Sequence, residues 1–318
     1  MNSAAPPVAP AKDFLSILDF QTDGLMRLLD LAAQLKVERR LANDAPTANA
    51  LRGAHVGLLF EKPSLRTRST FEIGVRELGG HPLELPAQFA DGTREPLEDV
   101  ARNLERWIQA VVVRTYAHGK LAAFAAAAPM LRVINALSDQ EHPCQALADM
   151  MTLREHWRTC SGRTLAFVGD GNNVATSLAH AAPRLGISVH VATPPRYQLP
   201  PRVIDDAIRG AAGGAQVRTF TDPREAVAGV DAVYTDVWTS MGKEIEAAKR
   251  RRLFRPYQVN AALMALTAPD ALFMHCLPAH RGEEVTAEVF ESAASVVFEQ
   301  AENRLHTQKA LLLTLLGS

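Results

Sequence analysis

Residues 56–78 read Val-Gly-Leu-Leu-Phe-Glu-Lys-Pro-Ser-Leu-Arg-Thr-Arg-Ser-Thr-Phe-Glu-Ile-Gly-Val-Arg-Glu-Leu. Val56–Phe60 is an uninterrupted apolar run, the pattern of a strand covered on both faces. Phe71, Val75 and Leu78 then recur at helical spacing. A buried strand feeding directly into an amphipathic helix is the repeating half of a β-α unit.

The unit recurs along the chain. His81–Leu85 reads as a short strand, and Pro96 opens a helix with Leu97, Val100, Leu104 and Trp107 on one face. Ala110–Val113 is a strand, Leu121–Ala128 an Ala-rich helix, and Arg132–Asn135 a strand. A long helix starts at Pro143, whose fixed φ suits a first helical position. Leu147, Met150, Met151 and Trp157 supply its apolar side. Six strand candidates follow: Thr164–Val168, Ser188–Ala192, Gln216–Phe220, Ala232–Thr235, Leu272–His275 and Ser295–Phe298. The final helix is expected over Ala301–Leu316. The pattern predicts an α/β protein of two domains, each a parallel sheet flanked by helices. The boundary falls at the Pro143 helix, giving residues 1–142 and 143–300, with 301–318 packing back on the first domain.

Composition excludes several functions. The 318 residues suit two domains at roughly 150 residues each. Lys and Arg number 34 against 35 acidic residues, which rules out a strongly basic nucleic-acid binder and gives no support to attraction to an anionic membrane. The longest apolar stretches, Leu121–Leu131 and Leu311–Leu316, are too short to cross a bilayer. Three cysteines (Cys144, Cys160, Cys276) fit a reducing compartment rather than a disulfide scaffold. The first residues, rich in Ala and Pro, lack the basic and apolar regions of a secretory signal, so a cytoplasmic protein is expected.

In open α/β sheets, ligands bind beyond the carboxyl ends of strands. Polar residues just after the strand runs are therefore the candidates. Ser64-Leu65-Arg66-Thr67-Arg68 opens a helix, where free N–H groups, hydroxyls and guanidinium forks suit a phosphate. A capped helix with solvated arginines is the alternative. The Walker pattern is absent. Arg114 ends a buried strand, facing either a ligand or a surface acid. His142-Pro143-Cys144-Gln145 places His142 and Gln145 where both can face one ligand; a metal at Cys144 lacks a second ligand cluster.

Gly169-Asp170-Gly171-Asn172-Asn173 looks like a dinucleotide loop. It lacks the third glycine, and no acid follows the next strand to hold a ribose, which disfavours a nucleotide-dependent dehydrogenase. Asp236-Val237-Trp238-Thr239-Ser240-Met241-Gly242 offers a carboxylate for an ammonium, or a simple cap. In His275-Cys276-Leu277-Pro278, Cys276 sits where a reactive group would, without a nucleophilic-cysteine pattern. Arg304 lies near the start of the last helix, as a surface residue or a second anion contact.

Together, in this order and spacing, these motifs resemble the aspartate/ornithine carbamoyltransferase family on its ornithine-specific side. The resemblance runs from Asp13-Phe14-Leu15 to the C-terminal helix. The Ser-Met-Gly loop and the Cys-Leu-Pro run set the chain apart from the aspartate-specific relatives. The resemblance implies carbamoyl phosphate at Ser64, Leu65, Arg66, Thr67, Arg114, His142, Gln145, Cys276, Leu277 and Arg304. It implies ornithine at Asn173, Asp236, Ser240 and Met241. Arg114, His142 and Cys276 would carry the chemistry, and Arg68 would add to the phosphate contacts. No metal and no cofactor are expected, and a homotrimer or a multiple of it is. Acetylornithine or putrescine carbamoylation is the neighbouring alternative, and a non-catalytic binding module the remote one. Two positions depart from the family pattern. Leu65 replaces a Thr, costing one hydroxyl. Ala90 stands where relatives carry Gln or His two residues before the glycine matching Gly92, with Gln88 nearby.

Overall fold

A computed structural model describes residues 11–89, 94–239 and 244–317. Helix α1 (Thr22–Glu38) precedes the first sheet. Then follow β1 (His55–Phe60), α2 (Leu65–Glu77), β2 (His81–Leu85), α3 (Leu97–Leu104), β3 (Ala110–Arg114), α4 (His118–Ala127), β4 (Arg132–Leu137) and α5 (Pro143–His156). The second half continues with β5 (Thr164–Val168), α6 (Asn173–Ala181), β6 (Ser188–Ala192), α7 (Pro201–Arg209), β7 (Val217–Phe220), α8 (Pro223–Val227) and β8 (Ala232–Thr235). It ends with α9 (Ala247–Phe254), α10 (Ala261–Met264), β9 (Leu272–His275), α11 (Ala287–Phe290) and α12 (Val297–Leu316).

The strands form two sheets, ordered β2-β1-β3-β4 and β7-β6-β5-β8-β9. Every pairing within them is parallel. The period-2 alternation of a strand divides each apolar run between two cores. Leu59, Val111, Val113 and Val133 pack under α3 and α4 with Leu104 and Phe124. Leu58, Val112 and Ile134 face α1, α2 and α5 on the opposite side. That second core is continuous with Leu165 and Phe167 of the other sheet, so one apolar layer runs beneath both. Ala166, Val168 and Val233 face the remaining layer with Tyr257 and Phe273.

Helix α12 packs on α1, α2 and α5, returning the chain to the first sheet as the sequence implied. Gly74 permits the close approach. A Cβ there would meet Lys309 Cγ at 3.1 Å. Helix α5, with Pro143 in its first turn, is buried from Pro143 through Leu153. Its polar residues Gln145, Asp149 and Thr152 are therefore buried along with its apolar side.

Three sequence expectations change. Ser295–Phe298 is not a strand: Ser295 makes one isolated bridge to Phe273, and the helix begins at Val297, four residues early. Two adjacent valines mimic a strand, but the Gln300 N–H already bonds the Val296 carbonyl in helical fashion. Trp107 lies beyond the end of α3 and is 65% exposed. Strand β4 runs two residues past Asn135, to Leu137. Ala90 and Gly92 lie outside the described residues, while Gln88 is exposed in a short 3-10 turn.

Candidate active site

Each sheet reverses its strand order once, between β1 and β3 and between β5 and β8. Such reversals leave a crevice at the carboxyl ends of the strands, because the connections on either side leave in opposite directions. The last residue of β3 and the loops following β1, β4, β5, β8 and β9 line one cavity of about 780 Å³. That volume is within the usual range for small-molecule sites.

The β1–α2 loop forms the first wall. Ser64 caps α2, its Oγ accepting from the Thr67 N–H at 3.3 Å. The remaining first-turn N–H groups and the helix dipole favour an anion. Leu65 puts its side chain into solvent, 77% exposed, so replacing a Thr there leaves the backbone contribution intact. Arg114 ends β3 and Arg304 comes from α12; both line the cavity with Arg66. None of the three guanidiniums has a carboxylate partner among the described ion pairs. Burial lowers the pKa of all three, and Arg114 falls to about 10 with Arg304 and Arg66 beside it. It stays charged at neutral pH. Three like charges held together with no carboxylate paired to them among the described residues make a site for a multiply charged anion. Arg68 does not join them: it pairs with Glu84 on β2, away from the cavity.

His142 stands at the N-cap of α5 and lines the cavity. Burial, then Arg304, Arg114 and Arg66, drive its pKa well below the ordinary histidine value, so the imidazole is neutral. The His142 backbone N–H donates to Ser177 Oγ at 2.9 Å, and Ser177 is one of the partners of the neighbouring Glu141. Glu141 accepts from Ser16 Oγ, from Ser177 Oγ at 2.9 Å and from the Ile17 N–H at 3.3 Å, and lies 3.2 Å from His180 Nδ1. Burial would raise its pKa, but His180 and the two hydroxyls hold the carboxyl below its usual range. Gln145 does not line the cavity. Its Nε2 donates to Asp149 at 2.8 Å inside the core.

The same cavity is lined by an acid. Asp236, after β8, accepts from Asn172 Nδ2 at 2.7 Å, the Val237 N–H at 2.8 Å and the Cys276 thiol at 3.0 Å. Burial and then Asp236 push the Cys276 pKa well above its normal value. Cys276 is therefore a thiol donor and not a thiolate nucleophile. Asn172 caps α6, and Asn173 donates one N–H to the Ser138 carbonyl at 2.7 Å. Ser240 and Met241 lie outside the described residues.

No motif in the sequence pointed to Glu284. It is fully buried, 3.3 Å from His275 Nε2. His275 Nδ1 accepts the Leu277 N–H at 2.8 Å, so its other nitrogen carries the proton and faces the carboxylate. Leu277 is held at φ +60°, a left-handed turn that L side chains rarely adopt. The donor atoms of Asp236, His275 and Cys276 lie within 4.8 Å of one another, a spacing that would suit a metal. Here the thiol already donates to the carboxylate, and the imidazole already accepts from Leu277. Cys144 is a packed thiol bonding the Asn135 carbonyl, its pKa raised by burial to about 12.

Residues 12–155 match the aspartate/ornithine carbamoyltransferase carbamoyl-P binding domain, and residues 161–315 the Asp/Orn binding domain of the same family. Ornithine carbamoyltransferase from Thermosynechococcus vestitus is 48% identical, the alignment covering 96% of each chain. That from Methanospirillum hungatei is 49% identical over 96% of this chain and 99% of its own. The solved ornithine carbamoyltransferase from Pyrococcus furiosus superimposes with a TM-score of 0.92 at 45% identity, covering 98% of this chain and 99% of its own. With both halves of its site on one cavity and both halves of its length matched, the chain belongs to the aspartate/ornithine carbamoyltransferase family.

Proposed function

We propose that this protein is an ornithine carbamoyltransferase, moving the carbamoyl group of carbamoyl phosphate to the δ-amine of L-ornithine, with release of L-citrulline and phosphate. One observation carries the reading: a single cavity is lined both by three guanidiniums that have no carboxylate partner among the described residues and by a buried carboxylate, Asp236, that accepts from a thiol. A dianionic phosphate suits the guanidiniums and an amino acid's ammonium the carboxylate.

In this reading the N–H groups of the α2 first turn, with Ser64, Arg66, Thr67 and Arg304, hold the phosphate. Arg114 and the neutral His142 donate to the carbamoyl oxygen as negative charge develops on it. The free δ-amine attacks the carbonyl carbon, and the bond to the phosphate oxygen then breaks. The departing phosphate accepts the amine's proton. Asp236 binds the α-ammonium, and Asn173 offers its second N–H to the α-carboxylate. Ser240 and Met241 complete the ornithine side in the family pattern. Cys276 and the Leu277 backbone lie beside the attacking nitrogen, and Gln145 supports the carbamoyl side. Binding both substrates in one buried geometry supplies much of the acceleration, since no enzyme nucleophile is used.

Residues 1–142 with 301–318 form the phosphate-side domain and 143–300 the amino-acid domain. A cytoplasmic homotrimer, or a multiple of it, is the expected form. Among the described residues no helix is long and apolar enough to cross a membrane. The test is citrulline formation with ornithine, N-acetylornithine and putrescine as acceptors. Ornithine is expected to give the highest kcat/KM; faster turnover of either other amine would overturn the assignment.

A further inference from the structure

Arg250 on α9 is among the largest fully buried side chains, yet it does not line the cavity. In the sequence it sits inside Lys249-Arg250-Arg251-Arg252, which reads as a solvated charge run. Its guanidinium reaches two loops at once. Nε donates to the Trp238 carbonyl at 2.6 Å, and Nη2 pairs with Asp170 Oδ2. Glu246, on the same helical turn, is a third and looser partner at 3.6 Å. The flat cation lies over the rings of Tyr197 (4.8 Å) and Phe254 (5.2 Å), and Phe254 also packs against the Trp238 ring.

These contacts join the two segments that carry the amino-acid end of the site. Asp170 lies two residues before Asn172, whose Nδ2 holds Asp236. Trp238 lies two residues after Asp236. The Asp170 turn is fixed from below as well: Gly171 donates to the Tyr197 carbonyl at 2.8 Å, and any Cβ at Gly171 would come within 2.5 Å of that oxygen. Tyr197 is the ring on which Arg250 rests. A lysine could satisfy Asp170 or Trp238, but a point charge cannot serve both in the fixed fork geometry that arginine supplies.

We propose that Arg250 is a positioning residue for the amino-acid substrate, clamping the Asp236–Trp238 turn to the Asp170 turn so that Asp236 presents its carboxylate to the cavity. The proposal rests on the ornithine reading of that end of the site. The phosphate end receives nothing from Arg250, and its arginines come from α2, β3 and α12. The clamp therefore sets the KM of one substrate and not of the other.

The experiment measures both KM values and kcat for the wild type, Arg250→Lys, Arg250→Met and Asp170→Asn. Loss of a buried charge-assisted contact that holds a binding group is expected to raise the ornithine KM about tenfold or more. The KM for carbamoyl phosphate is expected to stay within about twofold, because a merely structural lesion would move both. Arg250→Lys is expected to be milder than Arg250→Met. Combining Arg250→Lys with Asp170→Asn is expected to cost less than the sum of the two, as for residues sharing one contact. If Arg250→Met fails to fold, Arg250→Lys and Asp170→Asn decide the matter. Unchanged ornithine KM in the folded variants, or an equal rise in both KM values, overturns the clamp. Wild-type citrulline formation is the separate control: its absence defeats the functional reading, whereas a failed clamp leaves it intact.

Discussion

Arg304 Nη2 donates to Thr67 Oγ1, joining the last helix of the chain to the first turn of α2, 237 residues earlier. Arg304 is 2% exposed, and its Nε has no partner among the described atoms. The phosphate end of the cavity is thus assembled only when α12 docks on α2. Arg304→Ala is expected to raise the KM for carbamoyl phosphate roughly 10- to 100-fold, the usual consequence of losing a buried hydrogen bond from a charged group. Steady-state kinetics at saturating ornithine reads this. An unchanged KM would remove Arg304 from the phosphate site.

Arg66 and Arg114 share that wall with Arg304. Replacing either by Ala is expected to cut kcat/KM for carbamoyl phosphate by roughly 30- to 1000-fold, equivalent to about 2–4 kcal/mol of transition-state stabilisation. Circular dichroism is expected to be unchanged, since neither cation is paired with a carboxylate among the described residues whose charge the substitution would strand. Near-normal kinetics would exclude the altered residue from the site.

Asp236 is held by three donors, so its carboxylate is oriented before any substrate arrives. Asp236→Asn is expected to weaken ornithine binding far more than carbamoyl phosphate binding, because only the ammonium partner is lost. The Cys276 thiol is one of the three donors. Cys276→Ser, which keeps a donor, is expected to retain more activity than Cys276→Ala. Equal activity of the two would show that the hydrogen bond to Asp236 does not matter.

Asp149 offers a pH test. Burial raises its pKa to about 7, although Gln145 and Gln300 both donate to Oδ1. Its Oδ2 is buried without a partner among the described atoms. The folded pKa lies above the unfolded value near 3.8, so folding takes up a proton. The associated stability is fully present below about pH 4 and is lost as pH rises through about 7. Asp149→Asn imitates the protonated acid. Its Tm relative to the wild type is therefore expected to rise between about pH 5 and pH 8. A difference that is flat with pH would mean that the carboxyl does not titrate in that window.

Local pattern determined most of the architecture. Apolar runs such as Ala110-Val111-Val112-Val113 and Leu165-Ala166-Phe167-Val168 have to be covered on both faces, and that requires parallel strands between helices. Position after a strand was enough to nominate Ser64, Arg114, Asn173, Asp236 and Cys276, because the carboxyl ends of parallel strands all open on one side. The strand-like Ser295–Phe298 misled, since β-branched residues at a helix entrance carry the same local signal as a short strand.

Tertiary structure decided what the side chains at those positions do. Arg66 and Arg68 are two residues apart and look interchangeable in sequence. Helical geometry sends one to the cavity and the other to Glu84. Arg250 and Arg251 are adjacent, but one is buried against Asp170 and the other lines the cavity. Glu284 reaches His275 only because β9 and the chain that follows it fold back together. The sequence alone determined nine of the ten candidate strands, the loops that follow them and the kinds of groups those loops carry, since these depend on neighbours a few residues away. Only the packed structure decided which charges are neutralised and which stay open for a ligand, because ion pairing and burial are set by residues as far apart as Thr67 and Arg304.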